Sequence, residues 1–193
     1  MRAPNDAAPD DMTAEQLMEY DARGMRTELI RGRLVVREPA KYRHGAIAMH
    51  VAVRIGMFLE RDQLERNAPH PLGDLLAAET GFTLQRGPDT VRAPDVAFVS
   101  WARRPDNRDT FAEIAPDLAV EVLSPGDRTG EVRAKVADWL NAGTSLVWVI
   151  DPRRRDARVF RADGSQSMLS DSESLNGETT LPGFSLPLAS LFA

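Results

Sequence analysis

Residues 116–128 read PDLAVEVLSPGDR, an apolar run with a carboxylate at its centre and a sharp break behind it. Leu118, Ala119, Val120, Val122 and Leu123 predict a buried strand, and a buried strand holds an ion only at a cost unless something pairs with it. Period-two counting puts Leu118, Val120 and Val122 on one face, while Asp117, Ala119, Glu121 and Leu123 share the other. Glu121 is therefore either neutralised by a core-edge arginine or held at a site built for charge. The break SPGDRTG leads into EVRAKVADWLNAG, a helix with Gly143 as its C-terminal stop. SLVWVID follows, and its unbroken apolar sequence marks a second buried strand. Residues 117–150 thus form a strand–helix–strand unit of the length that a parallel crossover needs.

Upstream, TAEQLMEY is a short helix with Thr13 and Gln16 in the capping-box pattern. TELIRGRLVVRE predicts two strands around a tight Arg31-Gly32 turn. The longest helix is expected in RHGAIAMHVAVRIGMFLERD, where Ile47, Val51, Ile55, Phe58 and Leu59 recur at helical spacing. LLAAETGFTLQ and APDVAFVS read as strands with RGPDTVR as the turn between them, and WARRPDNRDTFAEIA as a polar connection. After the turn DPRRRD comes ARVFRAD, and LPGFSLPLASLFA should end the chain in a strand and one helical turn. The sum is a mixed sheet with helices packed on it, an α/β (α+β) protein.

The 193 residues suffice for one domain, expected over 12–193 behind a loose Pro-, Ala- and Asp-rich arm at 1–11. Absence of Cys excludes disulfides and thiolate metal sites. No apolar run approaches a membrane span and the N-terminus has no signal core, so a cytoplasmic protein is expected. The net charge of -5 argues against a non-specific nucleic-acid coat, though a local basic groove is compatible with it. The arginine clusters at 103–104 and 153–155 are read as solvated turns. No phosphate-binding loop ending in Lys-Ser/Thr and no Gly-x-Ser-x-Gly element is present.

Three ionisable residues stand where the pattern asks for apolar ones. Glu121 is mid-strand, Asp95 enters a core strand directly after Pro94, and Lys135 lies on the edge of the apolar helix stripe Val132, Val136, Trp139, Leu140. Each has an ordinary explanation: an arginine partner for Glu121, a turn cap for Asp95, and Glu131 four residues before Lys135 as a helical ion pair. Together they describe different chemistry. Two carboxylates suit Mg²⁺, whose shell water and substrate phosphates complete, and a lysine beside them can orient or help deprotonate the attacking water. That combination hydrolyses phosphodiesters.

The set APDVAFVS, PDLAVEVLSPGDR, KVADWLNAG and VWVID resembles the Uma-two family of restriction-endonuclease-like proteins, within the PD-(D/E)xK nuclease superfamily. ELIRGRLVV, RHG and LPGFSLPLASLF extend the resemblance from about residue 12 to the end. It implies a restriction-endonuclease-like mixed sheet flanked by helices, with an N-terminal helix and β-hairpin. It implies Asp95 and Glu121 as metal ligands, with Mg²⁺ or a substituting Mn²⁺. The superfamily lysine, two residues after the second acid, is replaced here by Leu123, and Lys135 on the following helix takes its role. Glu28 and His44 match as a further acid at the cleft and a phosphate or water contact. Trp139 stands where the family often has Tyr, a departure expected to touch packing and substrate contacts and not the acids. The implied activity is that of an endonuclease on DNA, working as a homodimer. A nuclease acting on RNA and a non-cutting binding or assembly module on the same fold are the alternatives. Glu79 is divided between a surface charge and a metal-site role, and His50 and His70 are ordinary histidines.

Overall fold

A computed structural model describes residues 11–20 and 25–192. The expected arm at 1–11 lies outside the described residues except for Asp11. The chain starts with α1 (Ala14–Met18), whose Thr13 cap accepts from the Gln16 N–H while the Gln16 side chain accepts from the Thr13 N–H. The hairpin β1 (Arg26–Ile30) and β2 (Arg33–Arg37) turns at Arg31 and Gly32, both at positive φ, where glycine is at ease. Helix α2 (Tyr42–Glu65) follows, then β3 (Gly73–Ala77), β4 (Phe82–Gln85), β5 (Thr90–Arg92) and β6 (Val96–Ser100). A 3₁₀ turn at Trp101–Arg103 leads towards β7 (Leu118–Val122), α3 (Thr129–Asn141) and β8 (Leu146–Asp151). The chain closes with β9 (Asp156–Arg161), β10 (Gln166–Ser170), β11 (Ser174–Asn176), β12 (Ser185–Pro187) and a 3₁₀ turn at Leu188–Leu191.

Six strands form the central sheet in the order β10-β9-β8-β7-β6-β3, with β7 and β8 parallel and the other neighbours antiparallel. The β7–α3–β8 crossover is the parallel unit expected from residues 117–150. A second sheet, β2-β1-β5-β4, stands beside it. The alternation in β7 is as counted. Leu118, Val120 and Val122 join Val96, Phe98, Leu146, Trp148 and Ile150 in the core under α2, to which the helix brings Ile47, Val51, Ile55 and Leu59. Ala119, Ala97, Val99, Val147 and Val149 face α3 and pack with Val136 and Trp139. Both faces of the central strands are covered, which is why β8 reads as continuous apolar sequence. Gly143 follows the α3 C-cap at φ +102°, the left-handed stop that its position implied.

Two segments differ from expectation. LLAAETGFTLQ is two strands in different sheets, because Glu79 at φ +74° breaks it. RGPDTVR is more than a turn: Thr90–Arg92 is β5, a buried strand between β1 and β4 that shows no alternation.

Candidate active site

Asp95 and Glu121 meet because β6 and β7 are antiparallel neighbours. The pairing Val96 to Val120 and Ala97 to Ala119, continued by one residue, sets Asp95 across from Glu121 on the face towards α3. The Asp95 N–H donates to the Val120 carbonyl (2.9 Å), and the Val122 N–H donates to Asp95 Oδ2 (2.8 Å). Asp95 is thus tied to the backbone on both sides of Glu121. Both acids are buried.

Lys135 reaches them from α3. Its ammonium donates to Glu121 Oε2 (2.8 Å) and the Ala93 carbonyl (3.0 Å) and pairs with Glu28 Oε1 at 3.1 Å. The ordinary explanation, a surface pair with Glu131, does not hold: Glu131 meets Arg37 at 3.4 Å, and Lys135 turns inward. Trp139, one turn further along α3, donates its indole N–H to Glu121 Oε1 (2.9 Å). This corrects the expectation that Trp139 does not touch the acids. The residue packs in the core and also holds the carboxylate, because an indole is apolar everywhere except at one N–H.

Glu28 enters from β1. Arg92 donates to Glu28 Oε2 (3.0 Å) and through Nε to Asp138 of α3 (3.0 Å), while the Ala93 N–H meets Glu28 Oε1 (3.2 Å). His44, in the first turn of α2, places Nε2 3.1 Å from Asp95 Oδ2 and leaves Nδ1 buried without a partner. Arg26 donates to Asp95 Oδ1 at 3.2 Å. The structure therefore brings Asp95, Glu121, Lys135, Glu28 and His44 together, and adds Arg92, Arg26 and Trp139. Sequence reasoning missed Arg92 because it lay in a supposed turn; its place three residues before Asp95 was the available signal. Glu79 is a mostly exposed turn residue, 3.9 Å from Arg26. His50 and His70 lie elsewhere, and His70 stacks on Trp101.

Charge follows geometry. Burial pushes Glu121 up to about 7, helped by Asp95 and Glu28 and opposed by Lys135. Burial also works against ionised Glu28 and Asp95. For Glu28, Lys135 and Arg92 outweigh it, and for Asp95, His44 and Lys135 do, so both are held below the ordinary carboxylate value. Burial disfavours the Lys135 ammonium, but Glu121, Glu28 and Asp95 more than compensate and its pKa is raised. The lysine is a firmly charged group. A cleft of about 590 Å³ opens on this cluster, lined by Arg26, Arg37, Lys41, Phe111 and Ser124 among others.

The mixed sheet with its β7–α3–β8 crossover and an Asp–Glu–Lys cluster at one cleft is a restriction-endonuclease-like architecture. The chain belongs to the Uma2 family, described as "Putative restriction endonuclease", which matches residues 14–189. Among solved structures it is similar to the crystal structure of a "putative nuclease belonging to DUF820" from Anabaena variabilis ATCC 29413. That likeness has a TM-score of 0.78 at 19% identity and covers 94% of this chain and 97% of the other. No curated protein matches the chain. No helix among the described residues is long and apolar enough to cross a membrane.

Proposed function

We propose that the protein is a Mg²⁺-dependent endonuclease that hydrolyses DNA phosphodiester bonds in the cytoplasm as a homodimer. The observation that carries this reading is the cross-strand pair Asp95 and Glu121 with the Lys135 ammonium 2.8 Å from Glu121. Among the described residues no group of three Asp, Glu or His gathers into a ready-made metal cage. The donor set still fits Mg²⁺: two hard carboxylates, each with lone pairs beyond those already used, beside a cleft that leaves the other positions to water and phosphate. The metal would supply charge stabilisation at phosphorus and a more acidic water.

The chain's own residues do the rest. Lys135, kept cationic by Glu121 and Glu28, faces the attacking water and the charge that develops on the phosphoryl oxygens. Glu28, fixed by Arg92 and the Ala93 N–H, holds that lysine in place. His44 holds Asp95 and stands at the cleft for a phosphate oxygen. Trp139 fixes the Glu121 carboxylate plane.

Incubation with supercoiled plasmid in Mg²⁺ or Mn²⁺ tests the reading. Nicking by the protein, lost in Glu121→Ala and in Lys135→Ala, is expected. Cutting of RNA alone would keep the mechanism and move the substrate. Failure to cut either nucleic acid with either metal would leave a binding module.

A further inference from the structure

Every oxygen of the Asp95 and Glu121 pair already faces a donor of its own chain, and each such oxygen has two lone pairs. On Asp95, Oδ2 accepts from the Val122 N–H at 2.8 Å and has His44 Nε2 at 3.1 Å, so both of its positions are taken. On Glu121, Oε1 accepts from Trp139 and Oε2 from Lys135, which leaves one position on each. The open position of Asp95 is on Oδ1. Among the described residues the one group on that atom is Arg26, whose Nη2 lies 3.2 Å away.

Arg26 is the least firmly placed of these donors. It is the first residue of β1, its side chain is 21% exposed, and its contact is the longest of the five. Arg37 stands directly across the hairpin from it, so a second guanidinium shares its face. The Arg26 Nε also lies 3.9 Å from Oε1 of Glu79, a cleft residue whose side chain is 68% exposed. Glu79 holds φ +74°, a region where glycine is at ease and glutamate uncommon. What glutamate adds at this turn is a carboxylate within reach of Arg26.

We infer that Arg26 is a resident counter-cation of the metal site: it must leave Asp95 Oδ1 before a divalent ion is held there, and Glu79 receives it. The inference rests on the metal reading above. An ion ligated by Oδ1 and a guanidinium on the same oxygen repel at close range, at a carboxylate shielded from solvent. Transfer to Glu79 needs one long side chain to turn outward. Asp95 stays in place, because the Val122 N–H and His44 hold its other oxygen. Arg26 therefore neutralises Asp95 in the metal-free fold and lowers the affinity for metal. The sign is opposite to that of a residue that builds the site.

Calorimetric titration of the full chain with Mn²⁺ tests this. Arg26→Gln should lower the dissociation constant about 10-fold relative to wild type, and Glu79→Gln should raise it several-fold. In the Arg26→Gln background, Glu79→Gln should change it by less than about twofold, since no guanidinium is left to receive. Melting in EDTA checks that each variant is folded. Arg26→Gln binding Mn²⁺ no more tightly than wild type would overturn the inference and leave the metal reading intact. An equal loss from Glu79→Gln in both backgrounds would overturn the exchange in the same way. Binding by Arg26→Gln alone would support it in its strongest form. No binding to either protein would overturn the metal reading and this inference with it.

Discussion

Glu121 is buried with an ammonium and an indole N–H on its two oxygens, and burial still raises its pKa to about 7. The sign of the consequence is definite. Because the folded value lies above the ordinary 4.5, the folded state holds this proton more tightly between those limits. Glu121's contribution to stability is greatest at low pH and is lost as pH rises through about 7. Glu28 and Asp95, held below their ordinary values, act in the opposite direction: their contribution is present above those values and is lost as pH falls. Urea unfolding at pH 5 and pH 8 should therefore show wild type losing stability relative to Glu121→Gln on going to the higher pH. Arg92 is a second pivot at this scale. Arg92→Gln takes one of its two cations from the buried Glu28 and loosens Asp138, and should cost about 1.5–3 kcal/mol in the same measurement. Glu28→Gln in the Arg92→Gln background should recover part of that loss.

At the scale of elements, β7 and α3 carry the site, and they were also the most legible parts of the chain. The period-two count in DLAVEVL placed Glu121 on the face opposite Leu118, Val120 and Val122, and the helical stripe placed Lys135 at its edge; the structure turns that strand face towards α3 and Lys135 onto it. Asp95 was legible as the carboxylate that enters a core strand directly after Pro94. What was not legible depended on long-range partners. β5 is three residues buried on both faces between two other strands, so it has no alternation to read and Arg92 was hidden with it. Trp139 satisfied the apolar stripe, and nothing local reveals where an indole N–H points. The partition of LLAAETGFTLQ between two sheets rests on one positive φ at Glu79, which a side chain rarely advertises. Trp139→Phe keeps the packing and removes the donor. It should lower stability by about 1 kcal/mol and reduce plasmid cutting by several-fold, both measured against wild type at one pH.

For the whole molecule, two sheets and two helices converge on one charge cluster. Glu28 comes from the smaller sheet, Asp95 and Glu121 from the larger, His44 from α2 and Lys135 from α3. Three carboxylates face the fixed cations Lys135, Arg92 and Arg26 there. The arginine clusters away from the cleft are largely occupied locally: Arg103 by Asp117, Arg104 by Asp74 and Arg155 by Asp171. A divalent cation binding the folded state alone should raise the melting temperature with its concentration, and Glu121→Gln should abolish that rise. The most direct measurement is calorimetric titration of the protein with Mn²⁺. One ion per site, with proton release near pH 6 as Glu121 ionises and with binding lost in both Asp95→Asn and Glu121→Gln, is the expected result. Binding that survives both substitutions, or no binding to wild type, would contradict a metal centre at this pair.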